Sequence, residues 1–291
     1  MSSPLQVRLL GELELVRGTD RIAITAGRLR ALLALLALSA GRSVTSERLV
    51  GELWAEQLPS NPRRSLHTYV NRLRNLVGAE TIATDPYGYT LRLDPDQVDV
   101  LRFGRLLADA RQAADRTTER LALEAALLLW RDEPFGGIDA PVLQQVERPR
   151  LVEAFLTASE RRIDLDVEHG QLDGPIEELA ELTGRYPLRE SLWVRQLRLL
   201  DRSGRRAEAL ERYEQVRRLI ADQLGSDPGA PLQTVHAALL ADPTTDPTPE
   251  PTPAVIPRQL PPDLRIFAGR LDVLQALDSR LDGAAGATLR C

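Results

Sequence analysis

Residues 59–78 read PSNPRRSLHTYVNRLRNLVG. On a helix, Leu66, Tyr69, Val70, Leu73, Leu76 and Val77 recur at i, i+3, i+4, i+7 spacing and gather on one side. The opposite side carries Arg64, His67, Thr68, Asn71, Arg72 and Asn75, with Arg63 and Arg74 on its flanks. No acidic residue occurs between Glu56 and Glu80. A solvated helix face ordinarily mixes both signs of charge, so a face of one sign needs a reason. Arginine offers planar donors to phosphate and to guanine edges, and asparagine matches the adenine edge. The pattern is that of a helix laid in the major groove of DNA. Taken alone it fits a merely basic surface helix equally well, and the neighbouring sequence has to decide.

Upstream, residues 5–10, 13–16 and 22–24 alternate apolar and polar and predict a small antiparallel sheet. A helix is expected over 27–39, ending at Gly41. Thr45 or Ser46 can cap a second helix over 47–54, with Leu49, Val50, Leu53 and Trp54 facing the core. Pro59 and Pro62 then introduce the basic helix. Downstream, residues 81–84 and 89–93 read as strands joined by the turn sequence Asp85-Pro86-Tyr87-Gly88. Three strands, three helices and a closing hairpin make a winged helix-turn-helix. In such folds the third helix enters the major groove and the hairpin is the wing beside it. The basic face thus falls on the helix that topology selects independently.

The bulk numbers are consistent with this. At 291 residues the chain is long enough for two domains. Its net charge of -5 is unevenly spread: residues 1–98 hold 12 Arg against 10 Asp and Glu, so the basic excess lies with the helix. All 37 basic residues are arginine. Cys291, the single cysteine, cannot form an intramolecular disulfide or a cysteine-rich metal site. The apolar run 29–38 is too short to cross a bilayer and carries Arg30, and MSSPLQVRLL has no signal-peptide core. A cytoplasmic, nucleoid-associated protein without a membrane partner is the expectation.

From residue 98 to 240 the pattern is helical. Helices are expected over 103–114 and 118–131, then a loop, WRDEPFGGID, then a long helix over 141–169. Gly170 and Gly204 lie 34 positions apart and each opens a turn before an amphipathic helix. Ile176 then corresponds to Leu210 and Leu179 to Tyr213. Thirty-four residues is the tetratricopeptide period, in which stacked helix pairs bury one another. The arginines at 161, 162, 195, 198, 217 and 218 read as solvated faces and partners for nearby acids. The expected fold is therefore mainly α: a winged helix-turn-helix (1–97) followed by an all-α tetratricopeptide-like domain (98–241). A Pro/Thr-rich linker (242–262) and a final stretch (263–291) complete the chain.

The stretches VTSERLVGELW, SLHTYVNRLRNLVG and YGYTLRL resemble the OmpR-type winged helix of the Streptomyces antibiotic regulatory proteins, which include the larger AfsR-type regulators. ALLLWRDEPFGGI, RYPLRESLW, GRRAEALERYEQVRRLIADQLGSDPG and PLQTVHAAL, in that order, resemble the bacterial transcriptional activation domain of the same family. One departure is at the wing tip, where OmpR-type wings often carry Arg-Gly and this chain has Asp85-Pro86. An acid there would repel phosphate, leaving Tyr87 or Thr84 to meet the DNA backbone. Phe267-Ala268-Gly269-Arg270 resembles the entry to the ATPase module of AfsR-type regulators, yet a chain without lysine has no Walker A lysine. The resemblance implies activation of antibiotic or other secondary-metabolite genes, direct repeats in promoters as targets, and subunits side by side on DNA. It also implies recruitment of RNA polymerase holoenzyme through its sigma and alpha or beta subunits.

The candidate DNA contacts are Arg63, Arg64, Arg72 and Arg74 for phosphate or guanine, and His67, Thr68, Asn71 and Asn75 for base edges. Ser46, opening the second helix, offers a backbone amide to phosphate. No cofactor, metal site or catalytic set is expected: His67, His169 and His236 lie in different segments without metal-ligand spacing. Two other readings remain: a protein-interaction adaptor working through the helical repeats, and a regulatory fragment of a nucleotide-sensing ATPase.

Overall fold

A computed structural model describes residues 4–54 and 58–241. Strands β1 (Leu5–Arg8), β2 (Glu14–Arg17) and β3 (Asp20–Ile22) form an antiparallel sheet in that order, with Val7 opposite Leu15 and Leu15 opposite Ile22. Helix α1 (Gly27–Ala37) follows and buries eight of its eleven residues, so it is the hub of the domain rather than a surface helix. Strand β4 (Ser43–Thr45) leads into α2 (Ser46–Trp54), and α3 (Pro62–Val77) comes next. Strands β5 (Ile82–Thr84) and β6 (Gly88–Leu91) form the wing, and β4 joins them in a sheet ordered β4-β6-β5. The winged helix-turn-helix is thus present, with a wing of three strands rather than a bare hairpin. β4 has three residues and a single buried side chain, Val44, too little for a period-2 signal.

The cap of α2 is Thr45, whose Oγ1 accepts from the Arg48 amide at 3.3 Å. At Gly88 the strands approach so closely that an added Cβ would lie 1.9 Å from the Val44 carbonyl oxygen, so β6 can enter the sheet only through glycine.

The remainder is helical: α4 (Asp99–Arg111), α5 (Arg116–Leu127), α6 (Arg148–Glu168), α7 (Asp173–Arg185), α8 (Glu190–Arg202), α9 (Arg206–Leu224) and α10 (Ala230–Leu240). The first two begin earlier than periodicity suggests, because Asp99 and Asp115 fix their starts. The long helix expected over 141–169 begins with a π-helical turn, Leu143–Glu147. Gly170 and Gly204 both take positive φ, 82° and 77°, and the residues one period apart, Leu179 and Tyr213, are both buried. Of the other corresponding pair, Ile176 is buried and Leu210 only half-buried, so the repeat holds in its turns and one core position.

The buried cores do not divide where the helical pattern starts. One core is continuous from Leu5 to Leu165 and includes Val98, Phe103, Phe135 and Leu143 beside α1 and α3. A second runs from Leu156 to Leu239. Helix α6 serves both: Leu151, Ala158 and Leu165 belong to the first core, Leu156 and Ile163 to the second. At 3.6 residues per turn those two stripes lie roughly 140° apart.

Two devices fasten the winged helix to the helical domain. The buried Asp99 carboxylate accepts from the amides of Leu9 (2.7 Å), Leu10 (2.9 Å) and Val100 (2.8 Å). Burial pushes its pKa up, against the downward pull of those amides and of Arg131. The segment WRDEPFGGID is a clasp rather than a free loop: Arg131 and Phe135 donate their amides to the carbonyls of Leu10 and Leu9, both at 2.9 Å. Phe135 is fully buried at φ 59°, a conformation rare for a side chain of its size. Trp130 stacks on Phe155 of α6 with centroids 4.4 Å apart.

Of the six helical-domain arginines read as surface residues, Arg161 pairs with Glu119, Arg162 with Asp166 and Glu178, Arg195 with Asp164 and Glu160, and Arg217 with Glu214. No described helix is long and apolar enough to cross a membrane. Residues 242–262 and the Phe267–Arg270 stretch lie outside the described residues.

Candidate nucleic-acid interface

Helix α3 starts where the sequence stops it from starting earlier. Asn61 Oδ1 accepts from the Arg64 amide at 3.0 Å, and Pro62, which has no amide to satisfy, opens the first turn. A cap of this kind is worth about 1 kcal/mol. Leu66, Val70, Leu73 and Val77 are buried against the rest of the domain, so the opposite face is forced outward. Arg63, Arg64, His67, Thr68, Asn71, Arg72 and Asn75 are all exposed on it.

These side chains are partly preorganised. Thr68 Oγ1 donates to the Arg64 carbonyl at 2.9 Å, which leaves the hydroxyl oxygen as an acceptor toward solvent. His67 Nδ1 and Asn71 Nδ2 are 3.3 Å apart. The Arg72 guanidinium lies 5.9 Å from the centroid of the Tyr69 ring, a cation–π contact that limits where it can swing. Arg63 and Glu47 approach to 3.7 Å with side chains 82% and 86% exposed, a pairing too wet to hold the arginine from a phosphate.

Two predicted contacts have other work in the structure. Arg74 is half-buried and points along the protein: its Nε and Nη2 donate to the Ile82 carbonyl at 3.0 and 2.8 Å, and Nη2 also donates to Thr84 Oγ1 at 2.7 Å. It ties α3 to the wing, and Thr84 is the other end of that tie. A fourth bond, from Arg74 Nη1 to Asn71 Oδ1 at 3.2 Å, orients the asparagine amide so that its NH2 is turned toward His67. The Ser46 amide is likewise taken, donating to the Tyr87 carbonyl at 3.0 Å. That bond fixes the wing tip on α2, so the expectation of an open amide for phosphate does not hold at this residue.

The acid at the wing tip is a structural part of the turn. Asp85 Oδ1 accepts from the amides of Tyr87 (2.9 Å) and Gly88 (2.8 Å), and Oδ2 accepts from Ser43 Oγ at 2.5 Å. The Ser43 hydroxyl above all, then the Tyr87 amide, holds its carboxyl below the ordinary aspartate value. The ionised carboxylate is the knot of the turn while still reached by solvent, and Tyr87, 79% exposed, is the largest side chain the tip presents. Ser43, Asp85 and Gly88 were missed as site-shaping residues, although Asp-Pro-Tyr-Gly is the pattern of a side chain bonding its own backbone two residues on. Among the described residues, no group of three His, Cys, Asp or Glu side chains could hold a metal ion.

An acid-free helix face and a tied wing, clasped to a helical domain, have relatives among known proteins. The profile described as "Transcriptional regulatory protein, C terminal" matches residues 21–91, and that described as "Bacterial transcriptional activator domain" matches residues 98–240. The regulatory protein DnrI of Streptomyces peucetius is 34% identical over 82% of this chain and 93% of its own length. The chain belongs to the Streptomyces antibiotic regulatory protein family. Regulatory protein AfsR of Streptomyces griseus is 35% identical over 98% of this chain, which spans only 30% of that relative's length. A solved structure, Mycobacterium tuberculosis EmbR in complex with a low affinity phosphopeptide, superposes with a TM-score of 0.74 at 30% identity, covering 82% of this chain and 65% of that one. The family's two modules meet in this chain at Asp99 and the 130–139 clasp, which makes them one body over residues 1–240.

Proposed function

We propose that this family member is a sequence-specific DNA-binding transcriptional activator of antibiotic or other secondary-metabolite genes. The observation that carries the reading is the outward face of α3, where seven exposed donors and acceptors stand with no acid among them. Arg64 and Arg72 reach phosphate or guanine edges, while His67, Thr68, Asn71 and Asn75 read base edges. Arg63 contacts phosphate from the first turn, and Tyr87 meets the backbone at the wing. Arg74 and Thr84 hold the wing against the helix, and through Asn71 Arg74 acts on the readout indirectly. The targets are direct repeats in promoters, occupied by subunits side by side, and the helical domain recruits RNA polymerase holoenzyme through sigma and alpha or beta subunits. Membership of the Streptomyces antibiotic regulatory protein family supports the choice of target genes.

Selection of the full chain on a promoter library across a salt series tests this, beside the double variant Asn71→Ala/Arg72→Ala. Enrichment of a spaced direct repeat, lost in the variant and falling steeply with salt, is the expected result. Salt-sensitive binding without any enriched sequence, or enrichment unchanged in the variant, would remove α3 as the reading element.

A further inference from the structure

A cavity of about 490 Å³ lies at the seam between the two modules, within the size range of small-molecule sites. Its walls come from the end of α1 and from α2 on one side, and from α4, the π-helical turn and α6 on the other. Its apolar surface comes from the half-buried Leu38, Leu101, Val142 and Ala154, which lie over the fully buried Phe103 and Leu143 of the first core. The rim is cationic. Arg48 pairs with Glu52 and Arg150 with Glu147, so these two are neutralised. Arg42 and Arg111 also line the cavity, are exposed, and have no acidic partner among the described residues. The wall includes Leu143 and Glu147, the two ends of the π-helical turn, a backbone irregularity that interrupts what periodicity alone would make a plain helix.

From this we infer a second binding site, for a small amphipathic anion whose apolar body rests on Leu38, Leu101 and Val142 and whose carboxylate or other acidic head meets Arg42 and Arg111. The pairing of an apolar floor with two uncompensated guanidinium groups selects that class: a neutral apolar ligand leaves both cations unused, and a compact inorganic anion leaves the floor uncovered. The site is separate from the DNA face, because α3 contributes no residue to the cavity. An occupant touches α1 and α2 of the winged helix and α4 and α6 of the helical domain at once.

Gly104 supplies a clean probe of the site. It lies on the cavity wall, and a Cβ added there meets nothing within 4 Å, so a large side chain projects into the open space. The experiment uses the full chain with 1-anilinonaphthalene-8-sulfonate as the fluorescent occupant, and decanoate or decanol as competitor. Expected are saturable binding at one site per chain, displacement by decanoate at a concentration at least tenfold below that needed with decanol, and loss of that preference in Arg42→Ala/Arg111→Ala. Gly104→Trp, whose thermal midpoint without ligand serves as the folding control, abolishes both displacements. Binding that never saturates, or that survives Gly104→Trp in a folded protein, would overturn the site. Equal displacement by decanoate and decanol, or a preference unchanged in the arginine variant, would overturn the anion.

Discussion

Arg74 shows how the same residue type on one helix takes opposite roles. Arg64 and Arg72 extend from α3 into solvent, whereas Arg74, one turn from the C-terminus, finds the Ile82 carbonyl and Thr84 within reach. A guanidinium makes three planar bonds there at once, and an ammonium cannot reproduce that fork. Arg74→Lys is therefore expected to behave like Arg74→Ala: both free the wing, raise hydrogen exchange at Ile82 and Thr84, weaken DNA binding at every sequence and relax the preference at the base that Asn71 reads. A variant with normal exchange but altered base preference would show Arg74 to be a direct reader. At Asp85 the prediction concerns pH. Its pKa is lowered in the fold, chiefly by Ser43, so the stabilisation is present above the ordinary aspartate value and is lost as pH falls through the folded value. An NMR titration of the Asp85 carboxyl should place its midpoint below the ordinary value of 3.8, and Ser43→Ala should move the midpoint upward. An unchanged midpoint in Ser43→Ala would assign the shift to the turn amides instead.

At the scale of elements, sequence pattern and structure agree where periodicity is long, as in α3, which also has the Asn61 cap, and in the helices after residue 170. They part where a segment's partner is distant in sequence. Asp99 sits 90 positions from Leu9, and nothing local distinguishes it from the exposed Asp96 nearby. WRDEPFGGID reads as a loop because its hydrogen bonds go to residues 9–11, not to its neighbours. The outward face of α3 was legible because burial of one stripe dictates the exposure of the other. The fates of Arg74 and Ser46 were not, because they depend on where the wing packs. Asp99 gives this junction a direct test. Truncation to alanine leaves the amides of Leu9, Leu10 and Val100 buried without a partner, each costing about 1–3 kcal/mol. Asp99→Ala should lower the urea midpoint by the equivalent of about 3–5 kcal/mol, the range for removing one member of a buried charged cluster. A change below about 1 kcal/mol would mean that water replaces the carboxylate and that the junction is looser than its geometry.

For the whole molecule, the two cores set where the chain can be cut. A winged helix ending at residue 97 loses Val98, Phe103, Phe135 and Leu143, all buried in the core that also holds α1 and α3. It also loses the Asp99 carboxylate and the clasp that bonds residues 9–11. Removing that surface exposes apolar side chains of β1 and α1, each worth about 1.5–3 kcal/mol when fully buried. A fragment ending at residue 169 keeps the first core whole, and exposes on α6 the face of Val152, Leu156, Ile163 and Val167 that packs on the second core. Urea unfolding of fragments 1–97 and 1–169, followed by far-ultraviolet circular dichroism, separates the two divisions. The longer fragment should unfold in one transition at a clearly higher midpoint, and the shorter should be marginal or aggregate. Equal midpoints would mean that the winged helix folds on its own and that the shared core is a docking surface between two independent domains. The division at α6 matters for function as well. One packed core holds α3, Ile82 and Leu91 of the wing, and Leu151, Ala158 and Leu165 of α6, so a partner that displaces α6 has to disturb the packing beneath α3.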